Sequence, residues 1–231
     1  MITKDNVLNN DLRKQIYLYI KETPGLHLRE ISRKMNIPLT SCKHHLKLLC
    51  RLNLISKSLE NSYDRYFIFK SYNLTERKII SVLRQDTPRG ILVYLLTSIA
   101  CSPLELCKEL NKTPSTINYH LKNMLYLGIL EIAEIKEDTI LLRKGGKINR
   151  DICGREKIYK IKDKETSDII YNLLLSNIET FKDKEYIYNI FALMEEVKTN
   201  KSPLFKKYSS KNVSSRVLNR IYDIFPHPYH V

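Results

Sequence analysis

Two short strips of polar residues, each at the start of a predicted helix, carry side chains suited to hydrogen bonding and to pairing with negative charge. An asparagine amide can bond an adenine edge through both polar atoms, and serine or threonine can bond a base or a phosphate. Lysine and tyrosine suit phosphate and sugar contacts. The first strip is Thr40, Ser41, Lys43, His44 and Lys47. The second strip is Ser115, Thr116, Asn118, Tyr119, His120 and Lys122.

The two strips occupy equivalent places in an internal repeat. Residues 28–47 and 103–122 align without a gap. The identical pairs include Glu30 with Glu105, Asn36 with Asn111, and His45-Leu46-Lys47 with His120-Leu121-Lys122. A repeat constrains the architecture before any other argument. Each copy has the pattern of a helix-turn-helix, whose second helix enters the major groove of duplex DNA.

In the first copy, apolar spacing predicts three helices followed by a hairpin. A helical period covers 11–21, a second helix begins near Leu28, and a third runs over about 40–52. Strands are predicted at 53–57 and 63–69. Three helices followed by a two-stranded hairpin predict a winged helix.

The second copy repeats this order after a linking helix over 74–84, with its first helix over 89–97. A serine cap at Ser102, Pro103 and a glutamate at the capping-box position predict the start of the next helix. The third helix follows Thr113 and ends at Gly128. Strands are predicted at 129–135 and at 159–161. We match Tyr159 with Phe67. The separation of these two residues along the chain exceeds the separation of matched helical residues, so the second wing is longer than the first.

The wings supply a second set of candidate contacts. In the first wing these are Lys57, Ser58 and Arg65, and in the second they are Arg143, Lys144, Lys147 and Arg150. Two glycines between basic residues let the second wing approach phosphates or a minor groove closely. The alternative is a hairpin tip whose charge only aids solubility.

The remaining chemistry-bearing residues do not form a catalytic or metal-binding pattern. His45 and His120 recur at one position, as either a phosphate contact or a packing contact beside the turn, and no carboxylate or nucleophile recurs with them. A cysteine pair, Cys101 and Cys107, lacks a His or Asp cluster, and His227 with His230 lack further ligands. We therefore predict no enzyme activity, metal or cofactor.

Charge and length agree with nucleic-acid modules. The net charge is +14, and 39 Lys and Arg face 25 Asp and Glu. Residues 1–74 carry +7, 75–165 carry +5 and 166–231 carry +2, so the excess lies with the repeats. Five cysteines without a Cys-x-x-Cys pair fit a reducing compartment. The apolar runs are too short for a bilayer, and we expect a cytoplasmic protein.

The predicted fold is mainly α with small β-hairpin wings (α+β), two winged-helix domains in tandem and C-terminal amphipathic helices. We expect winged-helix domain 1 over 1–73, the linking helix with winged-helix domain 2 and its long wing over 74–165, and a C-terminal helical segment and tail over 166–231. The C-terminal helices either cover the second domain or pair two chains as a homodimer.

The string Pro-Ser-Thr-Ile-Asn-Tyr-His-Leu-Lys-Asn-Met at 114–124, followed by Leu-Gly-Ile-Leu at 127–130, resembles the ArsR-like and MarR-like winged-helix regulators of bacteria and archaea. The first copy is a looser match. Over 12–162 the chain looks like the tandem winged-helix regulators frequent in archaea. The resemblance implies DNA binding through Ser115, Thr116, Asn118 and His120 and their counterparts in the first copy. The cysteine motif of the metal-sensing members is absent, so metal sensing is not implied.

Two functions from different classes follow. The first is a sequence-specific regulator of transcription that binds double-stranded DNA through both winged helices. The alternative is a winged-helix scaffold for protein contacts in a chromosome-segregation or basal transcription complex. The positive charge and the polar helix starts favour the first.

Overall fold

In a computed structural model, the described residues are 7–60, 63–98, 100–133, 157–177, 180–181 and 187. They form eight helices and five strands, and both sheets are small and antiparallel. The predicted fold class, mainly helical with small hairpins, is confirmed. The chain divides into unit 1, Met1–Gln85 with Leu173–Thr180, and unit 2, Asp86–Asn172 with Phe181–Val231. Among the described helices, none is both long and apolar enough to cross a membrane.

Unit 1 follows the predicted order of helices and strands, with one added strand. Its elements are α1 (Asp11–Glu22), β1 (Leu26–His27), α2 (Leu28–Met35), α3 (Leu39–Arg51), β2 (Ile55–Glu60), β3 (Tyr63–Ile68) and α4 (Leu74–Leu83). The sheet has the order β1-β3-β2. Strand β1 was not predicted, because so short a strand cannot show an alternating pattern.

The core of unit 1 forms where the apolar faces of three helices meet the hairpin. Its fully buried side chains include Ile16, Ile20, Leu26, Ile31, Leu46, Leu49 and Ile55. These residues recur at helical spacing on α1 and α3, as the sequence predicts. Burying one such side chain contributes about 1.5–3 kcal/mol, so this core fixes the orientation of α3 relative to α1 and α2.

Unit 2 repeats these elements. They are α5 (Asp86–Leu96), α6 (Pro103–Leu110), α7 (Pro114–Tyr126), β4 (Leu130–Ile132), β5 (Tyr159–Ile161) and the first part of α8 (Lys164–Asn177). The counterpart of β1 is a single bridge between Cys101 and Tyr159. The helices predicted beyond 177 and the second wing over 134–156 lie outside the described residues.

The repeat extends to the backbone conformation of the turns. Asn36 and Asn111 both end a helix in the left-handed region, with φ of 51° and 50°. Asparagine tolerates this conformation better than other residues with a Cβ. Asn53 and Gly128 form a second such pair, with φ of 53° and 72°. The backbone therefore enters α3 and α7 through the same turn, and it leaves both helices through a residue in the left-handed region.

A capping box starts the first helix of each helix-turn-helix. Ser102 accepts the Glu105 N–H at 3.3 Å, and the Glu105 carboxylate accepts the Ser102 N–H at 2.9 Å, which confirms the predicted start. In the first copy His27 takes the place of the serine. Its Nδ1 accepts the Glu30 N–H at 3.3 Å. Burial lowers the pKa of His27, which keeps Nδ1 free to accept this bond.

The pairing of the wing strands shifts the predicted alignment of the returning strand by a single position. Ile55 pairs with Ile68 and Leu130 pairs with Ile161. Because Ile55 matches Leu130 in the repeat, Ile68 matches Ile161, and the second wing is slightly longer than the sequence alignment gave. Tyr159 therefore matches Tyr66, and matching it with Phe67 was wrong. Such a slip exchanges the two faces of a strand, so the pairing decides the alignment.

Helix α4, predicted as part of the second domain, lies in unit 1. Arg77 donates from Nη2 to the Ser56 hydroxyl at 3.2 Å, and its guanidinium lies 5.3 Å from the centre of the Phe67 ring. These contacts hold α4 against one face of the β2–β3 hairpin. The domain limits at 73 and 165 stay predictions.

Gly25 lies where α4 approaches the start of β1. Its φ is +77°, and a Cβ built there would lie 2.7 Å from the Ile80 side chain. Gly128 has a similar φ of +72° with no atom within 4 Å of the corresponding position. Both positions favour glycine for conformation, but only Gly25 also lacks space for a side chain.

We expect Gly25→Ala to destabilise unit 1 by about 2–4 kcal/mol, since it adds overpacking to the cost of a left-handed residue. Gly128→Ala is the matched control and should lose about 1 kcal/mol, from conformation alone. Urea unfolding followed by circular dichroism measures both. Equal losses would show that the contact with Ile80 is not the constraint.

An ion pair joins α4 to the helix-turn-helix of unit 1. Arg84 Nη2 lies 3.0 Å from Glu30 Oε1, and neither side chain is much exposed. Burial acts to raise the pKa of Glu30, but the Arg84 charge and the hydrogen bonds outweigh it, so this pKa lies below the ordinary value. The folded state therefore favours the ionised carboxylate.

This shift predicts how acid changes stability. Because the folded-state pKa of Glu30 is lowered, its contribution is present above the unfolded-state pKa of about 4.3 and is lost as pH falls through the folded-state pKa. The native chain should exceed Glu30→Gln in stability at neutral pH, and the difference should shrink as pH falls below about 4. Urea midpoints across this pH range provide the check. A difference independent of pH would contradict the role of the charge.

Candidate nucleic-acid interface

Helix α3 presents one polar face and buries the other. Thr40, Lys43, His44 and Lys47 are exposed, and Arg51 continues the same stripe one turn further. The opposite face buries Cys42, Leu46 and Leu49. Spacings of three and four positions place the stripe along one side of the helix. Ser41, also predicted as a contact, is half-buried at the edge of the stripe.

Helix α7 shows the same arrangement with different side chains. Ser115, Asn118, Tyr119 and Lys122 are exposed, and Tyr126 occupies the position of Arg51. Ile117, Leu121 and Met124 are buried. Neither α3 nor α7 contains an Asp or Glu. Both stripes can therefore approach a polyanion without charge repulsion.

Thr116 belongs to the start of α7 more than to its exposed stripe. It is half-buried, and its hydroxyl lies 3.0 Å from that of the N-cap residue Thr113, which also accepts the Thr116 N–H at 3.4 Å. The N-cap of α3 is Pro38, which has no side-chain cap bond. A substitution of Thr116 would therefore disturb the helix cap as well as any contact.

The two recurring histidines lie at the border between the exposed and the buried face. Burial lowers the pKa of His45, with smaller effects from Arg13 and His44, and burial lowers the pKa of His120. Both rings are therefore mostly neutral at pH 7. In His45 the buried Nδ1 has no hydrogen-bond partner among the described residues. Neutral, half-buried rings favour the packing role of the two alternatives.

The first wing offers fewer available cations than its sequence suggests. Arg65 is 6% exposed, and its Nη1 donates to the Gly25 carbonyl at 2.7 Å. This corrects its expected place on the wing surface, since its charge is used inside unit 1. Lys57 is exposed, but its Nζ lies 3.2 Å from Asp64 Oδ2. Ser58 is half-buried.

The candidate contacts of the second wing, Arg143, Lys144, Lys147 and Arg150, lie outside the described residues. The cysteine pair Cys101 and Cys107 is not joined by a disulfide. Within the described ranges, no group of three or more His, Cys, Asp or Glu is arranged to hold a metal ion.

The sequence-based predictions missed several exposed residues of the two motifs. Arg51 and Tyr126 extend the two stripes, and Arg29, Arg33 and Lys34 are exposed on α2. The spacing of polar residues could have predicted Arg51, because the exposed positions of α3 recur every three or four residues and continue past Lys47. The predicted contacts end at Lys47 because base contacts are most frequent near the N-terminus of a recognition helix.

Comparison with known proteins assigns both copies of the repeat to helix-turn-helix families. Residues 10–80 match a family described as an N-terminal HTH domain. Residues 86–131 match the family described as bacterial regulatory protein, arsR family. The chain carries two helix-turn-helix domains in tandem. This confirms the interpretation of the internal repeat and the ArsR-like resemblance of the second copy.

A curated relative also matches over part of its length. The chain is 33% identical over 135 residues to an uncharacterized HTH-type transcriptional regulator from Methanocaldococcus jannaschii. The match covers 58% of this chain and 34% of the relative. The chain thus spans about a third of the relative's length, and the relative comes from an archaeon, as the resemblance implies.

The buried position of Arg65 yields a stability prediction. We expect Arg65→Ala to cost about 2–4 kcal/mol, because the Gly25 carbonyl loses a buried charge-assisted bond. Lys57→Ala, which removes one partner of an exposed ion pair on the same hairpin, should change stability by less than about 1 kcal/mol. Urea unfolding compares the two. A small effect for Arg65→Ala would return this residue to the set of surface contacts.

Proposed function

We propose that the chain is a sequence-specific regulator of transcription that binds double-stranded DNA through two winged helices. The observation that carries this proposal is the pair of matching exposed stripes on α3 and α7, both polar and free of acidic residues. The matches to helix-turn-helix families and the name of the archaeal relative support the same class.

In this proposal α3 and α7 lie in major grooves, and their exposed side chains divide into two kinds. Asn118 bonds base edges, while Lys47 and Lys122 contact phosphates that set the register. The remaining proposed contacts on the helices are Thr40, Ser41, Lys43, His44, Ser115 and Tyr119. Contacts from Lys57 and from the second wing stay proposals. Such a protein acts in the compartment that holds the DNA.

Two linked domains increase affinity through effective concentration. Binding by one domain holds the other near the same duplex, so two weak contacts act as one stronger contact. Pairing of two chains through the C-terminal helices would add a further pair of domains. A homodimer is part of the proposal and is tested by sedimentation of the free chain.

Exposed aromatic residues give the protein-scaffold alternative its one specific support. Tyr119 is 68% exposed and Tyr126 is 88% exposed on α7. Tyrosine is enriched in protein interfaces as well as suited to sugar contacts. The absence of acidic residues on α3 and α7 favours DNA, and the experiment below separates the two.

The test is binding of the full chain to genomic DNA fragments, followed by footprinting of the fragment bound best. Asn118→Ala should reduce the preference for that fragment over a scrambled duplex by roughly tenfold, because a bidentate base contact is lost. Asn118 is substituted alone, since Thr116 also caps α7.

The matched control is Asn172→Ala, which removes an exposed amide from α8 and should leave the preference unchanged. If no fragment binds at about 100 mM salt, DNA binding is excluded as the function and the scaffold becomes the better hypothesis. If fragments bind but Asn118→Ala changes nothing, the proposed reading helix is wrong.

A further inference from the structure

The surfaces of the two helix-turn-helix motifs have diverged in charge at equivalent positions. The first motif carries six exposed cations: Arg29, Arg33, Lys34, Lys43, Lys47 and Arg51. The equivalent positions of the second motif hold Leu104, Lys108, Glu109, Asn118, Lys122 and Tyr126. Six positive charges in unit 1 thus correspond to two positive charges and one negative charge in unit 2.

The six cations of unit 1 are available to bind an external anion. Within the described residues, the ion pairs of unit 1 involve Lys57 and Arg84, and none of the six cations takes part in one. Arg33 donates to the Arg29 carbonyl at 3.3 Å, and Lys34 lies 5.8 Å from the centre of the Tyr19 ring. Neither contact neutralises the charge.

In unit 2 three of the six equivalent positions are uncharged, the turn adds one exposed cation, Lys112, and exposed apolar and aromatic side chains take a larger share of the surface. Leu104 is 56% exposed, and the two tyrosines of α7, Tyr119 and Tyr126, are more exposed still. Together with Asn118 they offer hydrogen bonds and apolar contacts in place of ion pairs. Of these side chains, Asn118 can report the identity of a base, and the tyrosines can contact sugar and phosphate without forming an ion pair.

The first wing does not reverse this contrast. Its arginine, Arg65, is turned inward to Gly25, and Lys57 pairs with Asp64. Neither residue therefore adds to the available cations, and the six on α2 and α3 remain the cations that the first motif offers to an anion.

We propose that the two helix-turn-helix surfaces divide the work on DNA. The surface of unit 1 supplies the phosphate grip, which is salt-dependent and indifferent to sequence. The surface of unit 2 supplies sequence discrimination with a small ionic component. This inference rests on the proposed function and assigns to each surface a separate term of the binding free energy.

The two terms are separable because only ion pairs with phosphates release counterions. The logarithm of affinity falls linearly with the logarithm of salt concentration, by about 0.9 per phosphate contact. A lost phosphate contact flattens this slope and weakens all sequences alike, whereas a lost base contact lowers the preference and leaves the slope unchanged.

The experiment measures full-chain binding from about 50 to 300 mM salt, using a duplex selected from a random library and a scrambled duplex. We expect Lys43→Gln/Lys47→Gln to flatten the slope by about two units and to keep the ratio of the two affinities. Asn118→Ala/Tyr119→Ala should lower that ratio by about tenfold or more and keep the slope.

A substitution that adds a positive charge to unit 2 tests the same proposal in the opposite direction. Tyr126→Arg gives α7 the residue that α3 has at this place, and it should steepen the slope by about one unit on both duplexes. Tyr126 is exposed enough to be replaced without loss of packing. Contacts from the second wing are present in every variant, so differences between variants isolate the two motifs.

Lys21→Gln, an exposed cation on α1 outside the repeated motif, controls for net charge and should leave slope and ratio unchanged. Equal effects of the two double variants on slope and ratio, or the reverse pattern, would overturn the division of work. A change of oligomeric state in Tyr126→Arg would overturn it too, since α7 would then be a protein contact. Failure of the native chain to bind any duplex would refute the proposed function itself.

Discussion

One backbone pairing holds each unit together. In it, the short segment before the helix-turn-helix pairs with the returning strand of the wing. In unit 1 the Gly25 N–H donates to the Tyr66 carbonyl at 3.0 Å, and Arg65 donates to the Gly25 carbonyl at 2.7 Å. In unit 2 Cys101 and Tyr159 exchange two bonds of 2.9 and 2.8 Å. Because the segment leads directly into α2 or α6, this pairing fixes the position of the hairpin relative to the helices that carry the exposed stripes.

This constraint uses charge that the surface then lacks. Arg65 follows Asp64, which pairs with Lys57, so both basic residues proposed for the first wing have partners within unit 1. The available cations of the motif remain on α2 and α3. A stable hairpin and a basic hairpin surface are therefore competing uses of the same residues, and unit 1 uses them for the hairpin.

The sequence predicted what depends on periodicity, and it missed what depends on tertiary contacts. The helices predicted up to residue 177, the Ser102 capping box and Gly128 follow from local rules, and the described residues have them. The His27 cap could not be predicted, because histidine caps a helix only when its Nδ1 stays neutral, and burial decides that. Similarly, the alignment error at Tyr159 arose because register is set by strand pairing, which aligned letters do not contain.

The same distinction explains how the two surfaces could diverge. Buried positions of the repeat stay apolar, as with Leu46 and Leu121 or Leu49 and Met124, because each fills a core. Exposed positions such as Arg51 and Tyr126 carry little of the folding energy, since exposed substitutions change stability by only about 0.5 kcal/mol. Folding therefore constrains where each reading helix lies and leaves its chemistry open. A charge difference on such a surface reflects what it binds more than how it folds.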